Sequence, residues 1–258
     1  MTASQNMLER RRNRPKSLKW DAELLEIRDE SPDVRTFRFK KPDGWTFIPG
    51  QYIMVFFPER FGKKNRAYSI ASSPNNEYLE LTIKLYGLFT HHMWTLKPGD
   101  IWTMRAPYGH YTLDMDSDRD VLLISAGVGV TPNMSMMRWA TEEGLDRRFL
   151  HLYSNKKQRD MVFKDEIDEI CKKNPNIKNV HTLTRLQEHL QENWVANGGR
   201  LGRISEEMIR EEVSAWLEEG RELPAVYSCG PERMNIMVRD TLVSMGWDAE
   251  DIHYEKFW

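Results

Sequence analysis

The chain has 258 residues, enough for one or two domains and for a core that needs no cross-links. Apolar residues make up 40%, charged residues 29%, and the formal charge is −2, which excludes a disordered chain and a broadly basic nucleic-acid binder. Two cysteines, Cys171 and Cys229, exclude a disulfide scaffold and any all-cysteine iron–sulfur cluster within this chain. The N-terminus carries Arg10, Arg11, Arg12, Arg14 and Lys16, with no apolar stretch after them. Residues 1–16 are therefore expected to be a flexible basic segment, the alternative being a docking patch for an acidic partner. No run of 18 apolar residues is present, so no membrane span is expected and the default compartment is the cytoplasm.

From residue 17 the pattern is strand-like. Strands are expected at 17–28, around Phe37 and Phe39, at 50–57, 65–72 and 99–105, with turns at Pro49-Gly50, Ser73-Pro74 and Pro98-Gly99. Leu79, Leu81, Ile83 and Leu85 alternate with Glu80, Thr82 and Lys84, the period of a half-buried strand. One helix is expected at 90–96. Residues 113–120 are polar, acidic and without period, which predicts an interdomain linker.

Beyond it strands and helices alternate. Val121-Leu122-Leu123-Ile124 has the apolar run of a parallel strand covered on both faces. A helix follows Pro132, then a strand at 149–153. Phe163, Ile167, Ile170 and Cys171 share one helical face, and a strand follows at 178–184. Ser205 is placed to cap a helix with Ile209, Val213, Trp216 and Leu217 inward. Strand 225–229, helix 232–245 and strand 251–257 complete the chain. The expected fold class is β + α/β: an antiparallel β-barrel at 17–113, then an open parallel α/β domain at 120–258.

Four motifs carry chemistry. Gly127-Val128-Gly129-Val130-Thr131-Pro132 joins a buried strand to a helix, where glycines and helix amides suit a pyrophosphate; a strand–turn–helix without ligand fits as well. Arg66-Ala67-Tyr68-Ser69 offers a phosphate clamp, a flat ring and a hydroxyl; an ordinary amphipathic strand is the plainer alternative. Cys229-Gly230-Pro231 ends a parallel strand, at the edge where such sheets bind ligands; a buried structural thiol is the alternative. Tyr254-Glu255-Lys256-Phe257-Trp258 ends on aromatics that cover either a flat cofactor or the chain's own core. His91-His92 does not suggest a metal site, since adjacent helical side chains point about 100° apart.

Order and co-occurrence decide between these alternatives. The combination resembles the ferredoxin–NAD(P)H reductase superfamily of flavoproteins over residues 17–258, and Phe47-x-Pro49-Gly50-Gln51-Tyr52 and Lys97-Pro98-Gly99-Asp100 extend the likeness. Thr131-Pro132-Asn133-Met134-Ser135-Met136, Val162-Phe163-x-Asp165-Glu166 and Glu255-Lys256-Phe257 resemble oxygenase reductase components and hybrid-cluster-protein reductases. The likeness implies an FAD cofactor and NADH or NADPH as reductant. It implies flavin contacts at Arg66, Ala67, Tyr68, Ser69 and Lys84, and a pyrophosphate turn at Gly87-Leu88-Phe89-Thr90. It places the nicotinamide dinucleotide at Gly127, Gly129, Thr131 and Pro132, with Cys229 and Gly230 beside the nicotinamide. Phe257 or Trp258 would cover the flavin; Ser69, Cys229 and Glu255 would be catalytic. Pro132 stands where the dinucleotide fingerprint has a third glycine.

The implied reaction is hydride transfer from nicotinamide to FAD, then electrons to a separate acceptor such as a ferredoxin or an iron–sulfur oxygenase component. The rival is a free flavin or ferric-complex reductase; a non-enzymatic binding module is a third reading. Ser154, Lys156 and Arg185 close the second and third strands of the α/β domain with no acid before Asp160, which favours NADPH over NADH. No nucleic-acid partner is expected.

Overall fold

The computed structural model describes residues 15–256; the expectations for residues 10–14, Phe257 and Trp258 lie outside the described residues. Among these, β1 (Leu18–Ser31), β2 (Val34–Lys40), β3 (Tyr52–Phe56), β4 (Asn65–Ser69), β5 (Tyr78–Lys84) and β6 (Ile101–Tyr108) form one antiparallel sheet in the order β4-β3-β6-β1-β2-β5. A bridge between Ile70 and Leu81 joins its two ends, so the sheet closes as a barrel. Phe37, Phe39, Ile53, Leu79, Leu81 and Trp102 fill it and are fully buried. Two short helices interrupt the strands, α1 (Pro58–Phe61) and α2 (Gly87–Thr95). The latter starts three residues earlier than the sequence suggests, at a glycine with φ of +74°.

One expectation fails instructively. The alternation in β5 predicts a wet face, yet Glu80 and Thr82 are 1% and 5% exposed. Alternation reports the polarity of a face, not what lies on it. Here the second domain covers that face, and the polar side chains meet partners rather than water.

The second domain is a parallel sheet of β7 (Val121–Ala126), β8 (Phe149–Asn155), β9 (Ile177–Leu183), β10 (Arg200–Leu201), β11 (Ala225–Gly230) and β12 (Ile252–Lys256). Its order is β10-β9-β8-β7-β11-β12. Helices α3 (Val130–Glu142), α4 (Lys164–Lys173), α5 (Glu188–Ala196), α6 (Glu206–Trp216) and α7 (Glu232–Ser244) connect the strands. Ser205 caps α6 as expected, its hydroxyl accepting from the Met208 amide at 3.2 Å. Neither α5 nor β10 was expected from the sequence; α5 buries none of its residues, so no apolar period marks it.

The linker is tied down, not loose. Leu113 is buried, and the Arg147 guanidinium donates to the carbonyls of Asp114 and Ser117 at 2.8 and 2.7 Å. Asp120 is buried between Arg148 and Arg221. One apolar cluster crosses the domain boundary, joining Val34, Ala71, Tyr111 and Leu113 to Met134, Met136 and Met137 of α3. Residues Val130 to Ala140 of α3 are all buried, because this helix lies between the sheet and the barrel.

Candidate functional site

In the parallel sheet the chain winds away in opposite directions from β7 and β11, and the crevice beyond their carboxyl ends is where an open sheet binds ligands. Gly127, Gly129 and Cys229-Gly230 all lie there. Residues 127–129 form a 3₁₀ turn and α3 follows, with Thr131 and Pro132 in its first turn. Gly129 is demanded by the protein's own chain. A Cβ there would stand 2.2 Å from the Cys229 carbonyl oxygen. At Gly230 a Cβ would stand 2.6 Å from the Met234 methyl. Gly127 has φ of +54° with open space around its missing Cβ, so it is the glycine that leaves room for a ligand.

Cys229 is fully buried. Burial, with Glu255 adding its charge, pushes its thiol well above the usual range, so it acts as a neutral S–H. Glu255 sits in register with Cys229 on β12. Burial alone lifts its carboxyl to about 7, and its Oε2 is a buried oxygen with no hydrogen-bond partner. Burial, then Glu255, also raises Tyr52, which pairs with Ser69 across β3 and β4. Ser69 is 4% exposed. The three residues expected to be catalytic thus come from β4, β11 and β12, in three distant parts of the chain. Tyr52, marked in the sequence only as the end of the Phe47–Tyr52 motif, and Tyr111, which carried no sequence signal, join them; the Tyr111 hydroxyl donates to Asn133 of α3 at 2.7 Å.

The residues expected to contact the flavin fall on β4, α2 and the end of β5. Arg66 and Ala67 are exposed and Tyr68 is half-buried. Arg66 has no acidic partner among the described residues; it caps its neighbour's carbonyl at 2.8 Å and lies 5.5 Å from the Phe89 ring. Phe89 itself packs in the barrel against Phe57 and Phe61, and its ring lies under the Arg66 guanidinium. Thr90 is likewise turned inward: its hydroxyl accepts from the Tyr86 amide at 2.6 Å and donates to the Gly87 carbonyl at 3.1 Å. Lys84 is exposed and pairs with Asp33 at 2.8 Å. Tyr86 and Leu88, 78% and 82% exposed, flank Gly87 with apolar surface that no part of the described chain covers. An unpaired guanidinium, free turn amides and bare apolar surface in one strip fit a flat dinucleotide such as FAD.

Ser154, Lys156 and Arg185 come together at the ends of β8 and β9, where the Arg185 amide donates to the Lys156 carbonyl at 2.8 Å. Ser154 is buried, while Lys156 and Arg185 are exposed and have no ion pair among the described residues. His91 holds the Gly87 carbonyl and His92 packs on Phe57; no metal-binding group of three His, Cys, Asp or Glu occurs among the described residues.

Comparison with known proteins agrees with this geometry. Residues 21–113 match the oxidoreductase FAD-binding domain and residues 123–240 the oxidoreductase NAD-binding domain. The chain is 29% identical over 244 residues to ferredoxin–NADP reductase B of Sorangium cellulosum, covering 92% of this chain and 97% of that one. It is 31% identical over 242 residues to the glycine betaine monooxygenase reductase subunit of Chromohalobacter salexigens, covering 90% of this chain and 62% of that one. A ferredoxin NADP+ reductase from Neisseria gonorrhoeae shares the fold with a TM-score of 0.79 at 19% identity, covering 93% and 99% of the two chains. The flavohemoprotein and monooxygenase reductase relatives are longer; the chain spans 56–62% of their length. Two domains in this order define a flavin- and nicotinamide-dependent oxidoreductase. The chain belongs to the ferredoxin–NAD(P)H reductase superfamily.

Proposed function

We propose that the protein takes a hydride from NAD(P)H onto FAD and passes electrons singly to a separate acceptor protein, a ferredoxin or the iron–sulfur component of an oxygenase. The observation that supports this best is that Tyr52, the cross-strand partner of Ser69, and Tyr111 both feel the charge of Glu255, which pairs in register with Cys229. Bound FAD would supply the two-electron to one-electron conversion that side chains cannot perform. Arg66 would hold its pyrophosphate, assisted by the free amides of the Gly87–Thr90 turn, while Tyr68 and Ser69 would hold the ring system. Gly127 and the first turn of α3 would bind the dinucleotide phosphates of the reductant. The neutral Cys229 thiol would bound the nicotinamide side of the crevice, and Glu255 would set the charge of the crevice near neutral pH.

An acidic acceptor suits the charge distribution. Arg60, Lys63 and Lys64 cluster just before β4, and Lys19 lies opposite Arg105 across β1 and β6. None of these five cations has an ion pair among the described residues, and a like-charged cross-strand pair is unfavourable unless something else meets it. The test is direct. The purified protein should carry flavin absorbance, release FAD on heating, bleach anaerobically with NAD(P)H, and then reduce an added 2Fe–2S ferredoxin. Release of FMN, or no bleaching with either nicotinamide, would refute the proposal. Loss of flavin on gel filtration with retained free-flavin reduction would favour the flavin-as-substrate alternative.

A further inference from the structure

A buried charge cluster lies outside the crevice, where α3 meets the barrel. Glu80 of β5 accepts through Oε1 from Arg28 at 2.8 Å and from Arg38 at 2.8 and 3.1 Å. Through Oε2 it accepts from Arg138 of α3 at 2.9 Å. Arg138, 8% exposed, uses its other two nitrogens in a fork onto Glu166, both bonds at 2.7 Å. Its Nη1 also donates to the Ala71 carbonyl at 2.7 Å. One turn earlier, the buried Ser135 hydroxyl donates to the Ser72 carbonyl at 2.7 Å.

The placement of these bonds matters more than their number. Ala71 and Ser72 follow Ser69 by two and three residues, with Ile70 fully buried between. Ser135 and Arg138 follow Pro132 by three and six residues on one rigid helix. The far end of that helix is fixed as well, since Glu142 and Glu143 bond Ser73 and Asn75 of the barrel. A helix moves as a body, so fixing its flank against 71–72 fixes the loop at its start against the strand that carries Ser69. Buried ion pairs contribute little net stability because desolvation offsets attraction, but they tolerate little change of geometry.

We propose that Arg138 and Ser135 are positioning residues: they set the spacing between the dinucleotide loop and the flavin strand, and hence the approach of nicotinamide to flavin. This rests on the flavin–nicotinamide reading above. A displacement of about 1 Å in such an approach costs orders of magnitude in rate while leaving binding almost untouched.

The test compares wild-type protein with Ser135→Ala and Arg138→Lys, the latter keeping the charge but losing the fork. Two measurements are made. Anaerobic stopped-flow flavin reduction at rising NAD(P)H separates the limiting rate from the nicotinamide dissociation constant. Hydrogen exchange on FAD-free protein follows the amides of 69–73 and of α3. We expect the dissociation constant to stay within about threefold, the limiting rate to fall roughly tenfold or more, and exchange to rise at 69–73 but not in β7 or β8. A limiting rate within twofold of wild type in an FAD-loaded variant would overturn the proposal. Should Arg138→Lys fail to fold, Ser135→Ala decides by the same criterion. Wild-type protein that neither nicotinamide reduces would instead overturn the underlying functional reading.

Discussion

Glu255 is the residue whose charge state the fold controls most plainly. It lies on the last strand, half-buried, with an unpartnered oxygen and a carboxyl raised by burial to about 7. Below that pH it is neutral; above it a carboxylate faces Tyr52 and Cys229. Negative charge in the crevice opposes delivery of a hydride there. The rate of flavin reduction by NAD(P)H should therefore fall about threefold to tenfold as pH rises through 7. Glu255→Gln should hold the low-pH rate throughout. A wild-type profile that is flat between pH 6 and 8, or an unchanged profile in Glu255→Gln, would remove Glu255 from the proton chemistry.

At the scale of elements, the strand–helix order was legible because period and burial agree wherever one face meets a core. Ile167 and Ile170 of α4, and Ile209, Val213 and Trp216 of α6, are buried as their spacing predicts. The failures have one physical origin. A helix without a core face, α5, leaves no period; a strand covered by another domain, β5, leaves a misleading one. The same limit applies to the site. Gly129 and Cys229 were legible through local motifs, but the partners of Arg138 and Ser135 lie 58 and 63 positions away, and no local pattern announces them. The only available hint was polar side chains in a helix otherwise rich in methionine.

The ends of β8 and β9 bear on cofactor choice. Lys156 and Arg185 are adjacent, exposed and unpaired, while Ser154 stands behind them. Two cations here would attract a 2′-phosphate by roughly 1–3 kcal/mol each, before screening by salt. Lys156→Ala with Arg185→Ala should lower kcat/KM for NADPH about tenfold or more and that for NADH much less. A ratio unmoved by both substitutions would show that neither side chain meets the phosphate.

For the whole molecule, acid is the stress to which the fold is most exposed. Burial lowers His151 to about 3 and His181 to about 4, the latter despite Asp168 nearby. Unfolded histidine titrates near 6.5. Between that pH and 4 the unfolded chain gains a proton on each imidazole and the folded chain gains neither. Stability is then full above pH 6.5 and falls on acidification by up to about 1.4 kcal/mol per pH unit per imidazole. Glu255 works in the opposite sense, since its folded carboxyl is raised: its contribution grows as pH drops from about 7 towards its unfolded value. The urea midpoint should decline from pH 6.5 to 5, and decline more steeply in Glu255→Gln. A midpoint that holds or rises over that range in Glu255→Gln would contradict the assignment.

The contact between Gly129 and the Cys229 carbonyl reaches beyond the site itself. It fuses the first loop of the parallel domain to its fifth strand, leaving no space for even a methyl group between them. Substitution there is restricted to glycine, while Lys156 and Arg185 at the ends of β8 and β9 are exposed. A designer who wishes to swap the preferred reductant should therefore redraw positions 154–156 and 185 and leave 127–132 untouched. On the reading proposed above, a fixed joint would hold the phosphates of the reductant, and a separate, replaceable surface would identify its adenosine end.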